Sequence, residues 1–115
     1  MTMDYTDTMD PECIALCDAM NGFPGIRTIE SCCGHQTRPY WVSFRAEWLS
    51  DLPRLLYYFA LCHCGFADWR IEVTTDCGMS PVRFCVIGPI GDVAYLQADR
   101  IACLLREELQ RNESA

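Results

Sequence analysis

An internal repeat narrows the folds open to this chain. Cys33-Gly34-His35 aligns with Cys77-Gly78-Met79, and the next proline is Pro39 in one copy and Pro81 in the other. Arg27 and Arg70 stand near the start of the preceding extended runs, and the offset stays at 42 to 44 residues throughout. Each copy reads as strand, Cys-Gly turn, strand, amphipathic helix. Two copies predict an α+β domain of tandem ββα units in the order α-β-β-α-β-β-α. Its sheet is four-stranded and mainly antiparallel, with helices on one face. The two Cys-Gly turns are then related by a pseudo-twofold axis. What the first turn holds beyond the second (His35, a second cysteine, Arg38) marks what function added. Pseudo-symmetric domains of this size often self-associate, and sites form between subunits.

The local signals agree with that order. Asp10-Pro11-Glu12 predicts a helix start, with Asp as N-cap, Pro at the first helical position and an acid in the first turn. Cys13, Leu16, Cys17 and Met20 follow at helical spacing, and Asn21-Gly22 ends the run. "IRTIES" and "YWVSF" read as strands. Ser50-Asp51 with Pro53 opens a second helix whose face is Leu52, Leu55, Leu56 and Phe59, and Gly65 stops it. "DWRIEVTT" and "VRFCVIG" read as the second pair of strands. Asp92 caps a last helix with Ala94, Ala98, Ile101 and Leu105 on one face.

At 115 residues, 50% of them hydrophobic and 22% charged, residues 1–115 are expected to form one domain with a real core. No apolar run approaches the roughly 18 residues that cross a bilayer, so no membrane partner is expected. "MTMDYTDTMD" has no basic residue, so it does not read as a secretory or transit signal. The net charge of −7 argues against nucleic acid, whose nonspecific binding needs a surplus of Lys and Arg. Much of the excess acid lies at the ends, and residues 1–9 and 110–115 are expected to be flexible. Nine cysteines without a leader read as reduced thiols in a cytosolic protein, several of them acting as small core hydrophobes.

Function is sought in "TIESCCGHQTRPYW", Thr28 to Trp41. Three chemistries compete. Cys32, Cys33 and His35, joined by Cys62-His63-Cys64, offer zinc ligands. Adjacent cysteines on an extended segment diverge, however, and the spacing is not that of a zinc knuckle. A thiol nucleophile would need an imidazolium or helix dipole, and no acidic residue can be named to orient either histidine. The favoured reading is a loop that holds a small anionic, nucleotide-like ligand. Ser31, Cys32, Cys33 and Gly34 shape the turn, Gly34 lets backbone N–H groups face the anion, and His35 and Arg38 donate to it. Trp41 supplies a flat face, while Arg70 and Arg83 complete the site from the other half. Trp41 and Trp69 have a plainer reading as core residues. With no acid–base pair and no cofactor motif, binding is favoured over turnover, for instance sequestration of a signal nucleotide. A zinc- or thiol-dependent enzyme is one alternative. A protein whose acidic ends block a basic partner is another.

The segment "PGIRTIESCCGH" resembles a Pro-Gly-Ile-x-Thr-x-x-Ser-Cys-x-Gly-His pattern in short bacterial and phage proteins. It is also similar to the Ser-Cys-Ser-Gly-Arg segment of the wybutosine-synthesis methyltransferase family, which modifies tRNA using S-adenosylmethionine. The likeness covers about a dozen residues, and His35 stands where that family has Arg. The methyltransferase activity is not carried over, because its other motifs are missing and the chain is acidic. What the resemblance implies is that Ser31, Cys32, Gly34 and His35 are site positions.

Overall fold

The computed structural model describes residues 9–62, 69–74 and 82–114. The elements are α1 (Pro11–Asn21), β1 (Ile26–Cys32), β2 (Pro39–Ala46), α2 (Leu52–Cys62), β3 (Arg70–Thr74), β4 (Arg83–Ile90) and α3 (Asp92–Ser114), with short 3-10 turns at Gly34–Gln36 and Leu49–Asp51. This is the predicted α-β-β-α-β-β-α order. The Cys77-Gly78-Met79 turn with Pro81, the His63 and Cys64 pair and Gly65 lie outside the described residues, as do residues 1–8.

The four strands form one sheet in the order β1-β2-β4-β3, and every neighbouring pair is antiparallel. The two hairpins therefore meet through their second strands. Ser43 pairs with Cys85, a residue 42 positions later and, by the offset of Pro39 and Pro81, its counterpart in the repeat. A residue that faces its own equivalent lies on the axis relating the two copies, so the register fits the pseudo-twofold expected from the sequence.

Strand alternation sends Tyr40, Val42 and Phe44 of β2 and Val86 of β4 to the inner face, where all four are fully buried. The helices meet them with the faces read from the periodicity. Cys13, Leu16, Cys17 and Met20 of α1 are fully buried, as are Leu55 of α2 and Ala94, Ala98, Ile101 and Leu105 of α3. Phe59 is nearly so, and Leu52 and Leu56 pack at the margin. Trp69, just before β3, lies in this layer against Tyr40 and Phe59. The opposite face of the sheet carries Trp41, Ser43, Arg45, Arg83, Cys85 and Ile87 on the two central strands.

Two polar clusters tie the helices down. Asp51 Oδ2 accepts the buried Gly25 N–H at 3.0 Å, and its Oδ1 accepts Arg54 at 3.2 Å, joining the start of α2 to the approach of β1. Between α2 and α3, Glu108 Oε2 accepts the Tyr58 hydroxyl at 2.7 Å and Arg111 at 3.1 Å, while Arg54 lies 3.7 Å from Oε1. The Tyr58 hydrogen bond, with Arg111 and Arg54, holds the Glu108 carboxyl below its usual range. A depressed carboxylate adds stability above the unfolded-state value, about 4.3, and that contribution is lost as pH falls through the folded value. Melting wild type and Glu108→Gln in parallel from pH 7 to pH 3 should show wild type more stable at neutral pH. The gap should close below about pH 4. A gap that stays constant with pH would contradict the cluster.

Candidate functional site

The predicted residues fall into two groups. The first is the β1–β2 loop. Gly34, His35 and Gln36 are three consecutive residues in the left-handed region, with φ of 81°, 50° and 70°. Only glycine enters that region freely, so His35 and Gln36 carry local strain that the surroundings must hold. They do so through hydrogen bonds. Thr37 N–H and Arg38 N–H both donate to Gly34 O, at 3.1 and 2.9 Å. Cys33 N–H donates to Asp10 Oδ2 at 2.9 Å, Gly34 N–H to Cys32 Sγ at 3.4 Å and His35 N–H to Cys33 Sγ at 3.4 Å. Gln36 N–H meets the Tyr95 hydroxyl, and its side chain donates to Asp92 at 2.9 Å. Every amide from Cys33 to Arg38 thus has an acceptor within the protein. The expectation that Gly34 would turn these N–H groups toward an anion meets a loop built from the inside.

Asp10 is the residue that sequence reasoning missed here. It occupies the N-cap position of α1, as expected, yet its carboxylate makes no capping bond. It reaches instead to the loop, 23 residues on, and the Cys33 N–H, with the nearby His35, holds it below the usual carboxylate range. His35, with a side chain 69% exposed, places Nε2 3.8 Å from Asp10 Oδ2 and Nδ1 3.7 Å from Cys33 Sγ. An acidic partner for the imidazole is therefore present after all. Asp10, Cys32 and His35 bring one ligand atom each to within 4.8 Å of one another.

The thiols differ. Cys33 is 3% exposed, and burial pushes its thiol up, the opposite of what a nucleophile requires. Cys32 is half-buried at the strand end. Ser31 turns inward, its hydroxyl against the buried thiols of Cys13 and Cys17, which burial raises to about 12 and about 11. Those two behave as core hydrophobes. Arg38 is exposed at the start of β2.

The second group lies on the open face of the sheet. Cys32, Trp41, Ile87 and Arg70 share one row across the four strands. Arg27 pairs with Arg45, Arg83 pairs with Thr74, and Arg45 stands beside Arg83 one step past the Phe44–Phe84 pair. The loop, Trp41 and Arg70 therefore occupy one end of the face, and Arg83 the other. Three arginines, of which the sequence reading proposed Arg83 for the site, noted Arg27 only as a repeat marker and did not remark Arg45, form a row over three adjacent strands about 4.8 Å apart. Arg27 is ion-paired to Glu47 at 3.7 Å and Arg70 to Glu72 at 3.2 Å, while Arg45 and Arg83 are half-buried and engage neighbours of their own. Between the rows, Ser43 Oγ is buried with no hydrogen-bond partner among the described residues.

A groove of about 720 Å³ runs elsewhere, along the outer edge of β1, lined by Met9, Cys17, Asn21, Arg27, Glu30 and Ser31 among others. Asn21 closes that edge, accepting Thr28 N–H and donating to its hydroxyl, both at 2.8 Å. Of the predicted residues only Ser31 lines it. No protein-family model, curated protein or solved structure matches the chain.

Proposed function

We propose that this protein binds a small anionic ligand carrying a flat ring, a nucleotide or a close relative, on the open face of the sheet. The observation that carries the reading is the row Arg27–Arg45–Arg83. Three guanidinium groups side by side on adjacent strands concentrate positive charge on one track of this face, which a bound anion would complement. Guanidinium groups also suit phosphate in geometry.

Trp41 lies on the same strand and face as Arg45, four residues away, or about 13 Å at the rise of a strand. That separation matches the reach from the outer phosphates of a nucleotide to its base. Ile87 flanks Trp41 with Arg70 beyond it, and Arg38 is a further cation at that end. Glu30 and Glu72 stand on the edge strands, leaving the central track of β2 and β4 neutral to cationic. Binding rather than turnover follows from the groups on that track. Ser43 is buried, and burial pushes the Cys85 thiol up, so neither is poised as a nucleophile.

Thermal-shift measurements on the full chain with nucleoside mono-, di- and triphosphates and cyclic dinucleotides test this. A ligand at 100 times its dissociation constant adds roughly 2.7 kcal/mol, a shift such assays resolve easily. Arg45→Ala, Arg83→Ala and Trp41→Ala should each weaken binding at least about tenfold, while Arg106→Ala on α3 leaves it unchanged. Silence from every nucleotide at millimolar concentration, or affinity unaltered in the Arg45 and Arg83 variants, would sink the reading.

A further inference from the structure

We infer that Asp10, Cys32 and His35 form a binding site for one divalent ion of the zinc class, with a fourth position open to solvent. The three residues supply a carboxylate, a thiolate and an imidazole, the donor set that suits a borderline-soft ion and disfavours calcium or magnesium. A tetrahedral ion with bonds of about 2.0–2.3 Å separates its donors by roughly 3.3–3.8 Å. The donors here already lie within 4.8 Å of one another, and the His35 Nε2 to Asp10 Oδ2 distance is 3.8 Å. Closure asks for a contraction of about 1.5 Å at most, within the freedom of an exposed imidazole.

The groups around the donors are those expected of a metal site. Asp10 Oδ2 accepts the Cys33 N–H at 2.9 Å, which fixes the carboxylate in place. Cys32 Sγ accepts Gly34 N–H at 3.4 Å, which fixes the sulfur at the end of β1. Cys33 Sγ, 3.7 Å from His35 Nδ1, orients the ring so that Nε2 faces Asp10. Outer partners of this kind set the tautomer and basicity of metal-bound histidine. The left-handed backbone at Gly34, His35 and Gln36 brings the imidazole back over the end of β1, which an extended chain would carry away. Adjacent cysteines diverge, as the sequence suggests, and the structure uses that divergence. Cys32 is a ligand, and Cys33 turns into the core as the outer partner.

On binding, the Cys32 thiol releases its proton to solvent and the metal–sulfur bond takes its place. Three protein ligands and one open position make a site that can accept water or an anionic oxygen from a small molecule. The site stands apart from the arginine row, at the Trp41 end of the sheet, and its test does not depend on nucleotide binding.

The probe is cobalt(II), titrated into full-length protein stripped with chelator. One equivalent should produce a near-ultraviolet thiolate-to-cobalt charge-transfer band together with visible bands of tetrahedral intensity, and zinc should displace it. Cys32→Ser should abolish the charge-transfer band. His35→Gln and Asp10→Asn should weaken binding at least about tenfold. Asp10→Asn keeps an acceptor for the Cys33 N–H, so a folded variant is expected, and far-ultraviolet circular dichroism checks it. Cys103→Ser, an exposed thiol on α3, should leave the titration unchanged. No band with wild type overturns the inference. So does a band that survives Cys32→Ser, or one lost in Cys62→Ser and Cys64→Ser variants while Cys32→Ser retains it.

Discussion

Replacing Trp69 with alanine is expected to cost about 3–5 kcal/mol of unfolding free energy, the range for deleting a large buried aromatic. The ring is 7% exposed and packs edge-on against Tyr40 and tilted against Phe59, each at 5.5 Å between centroids. Such contacts add roughly 0.5–1.5 kcal/mol beyond burial. Its Nε1–H donates to Gln97 Oε1 at 2.7 Å, and Gln97 is itself buried, so the variant also strands a polar group inside α3. Gly88 shows how closely the site is filled. A Cβ there would come within 2.7 Å of the Trp69 ring. Denaturant unfolding should show a lower midpoint with an unchanged slope. Trp69→Phe should fall between the two, keeping the packing and losing the Gln97 bond. A loss under 1 kcal/mol for the alanine variant would mean that Trp69 does not join β3 to the helical layer.

The second large effect is expected at Gly34. Its φ of 81° costs a side chain about 1–2 kcal/mol, and a Cβ would lie 3.0 Å from Pro39 O and 3.1 Å from Pro39 C. Both obstacles are backbone, held by the pairing of β2, so they cannot swing aside. Gly34→Ala should therefore destabilise by about 2–3 kcal/mol. The same variant should weaken cobalt uptake, because the carbonyl that anchors Thr37 and Arg38 moves with the turn. Denaturant unfolding reads the first effect and the cobalt titration the second. Wild-type stability in Gly34→Ala would show that the loop relaxes freely and that its left-handed run is not enforced.

The candidate site was half legible in the sequence. Cys32 and His35 were picked out by residue type and proximity, and Trp41 by its place beside the turn. Asp10 was read for its local role, as an N-cap. That role competes for the same carboxylate with the Cys33 amide, which no helix-start signal can reveal. In the sequence Arg27 stands out only as a repeat marker, and Arg45 carries no local signal at all. Their importance comes from standing side by side with Arg83, and that is a property of register. Arg83, in turn, sits four residues along β4 from the row it was expected to join.

The periodicities of 3.6 and 2 act between near neighbours along the chain, and the 44-residue echo of Cys-Gly is read by comparing one local pattern with another. From them alone came the seven elements, their order, the buried face of each helix and a four-stranded antiparallel sheet; that the hairpins meet through β2 and β4 came from the tertiary structure. The meeting of Asp10 with His35, and of three arginines across β1, β2 and β4, depends on how strands slide against one another and how a helix end lands on the sheet. Those choices are settled by the packing of Tyr40, Phe44, Val86 and Trp69 over distances along the chain to which no local pattern extends.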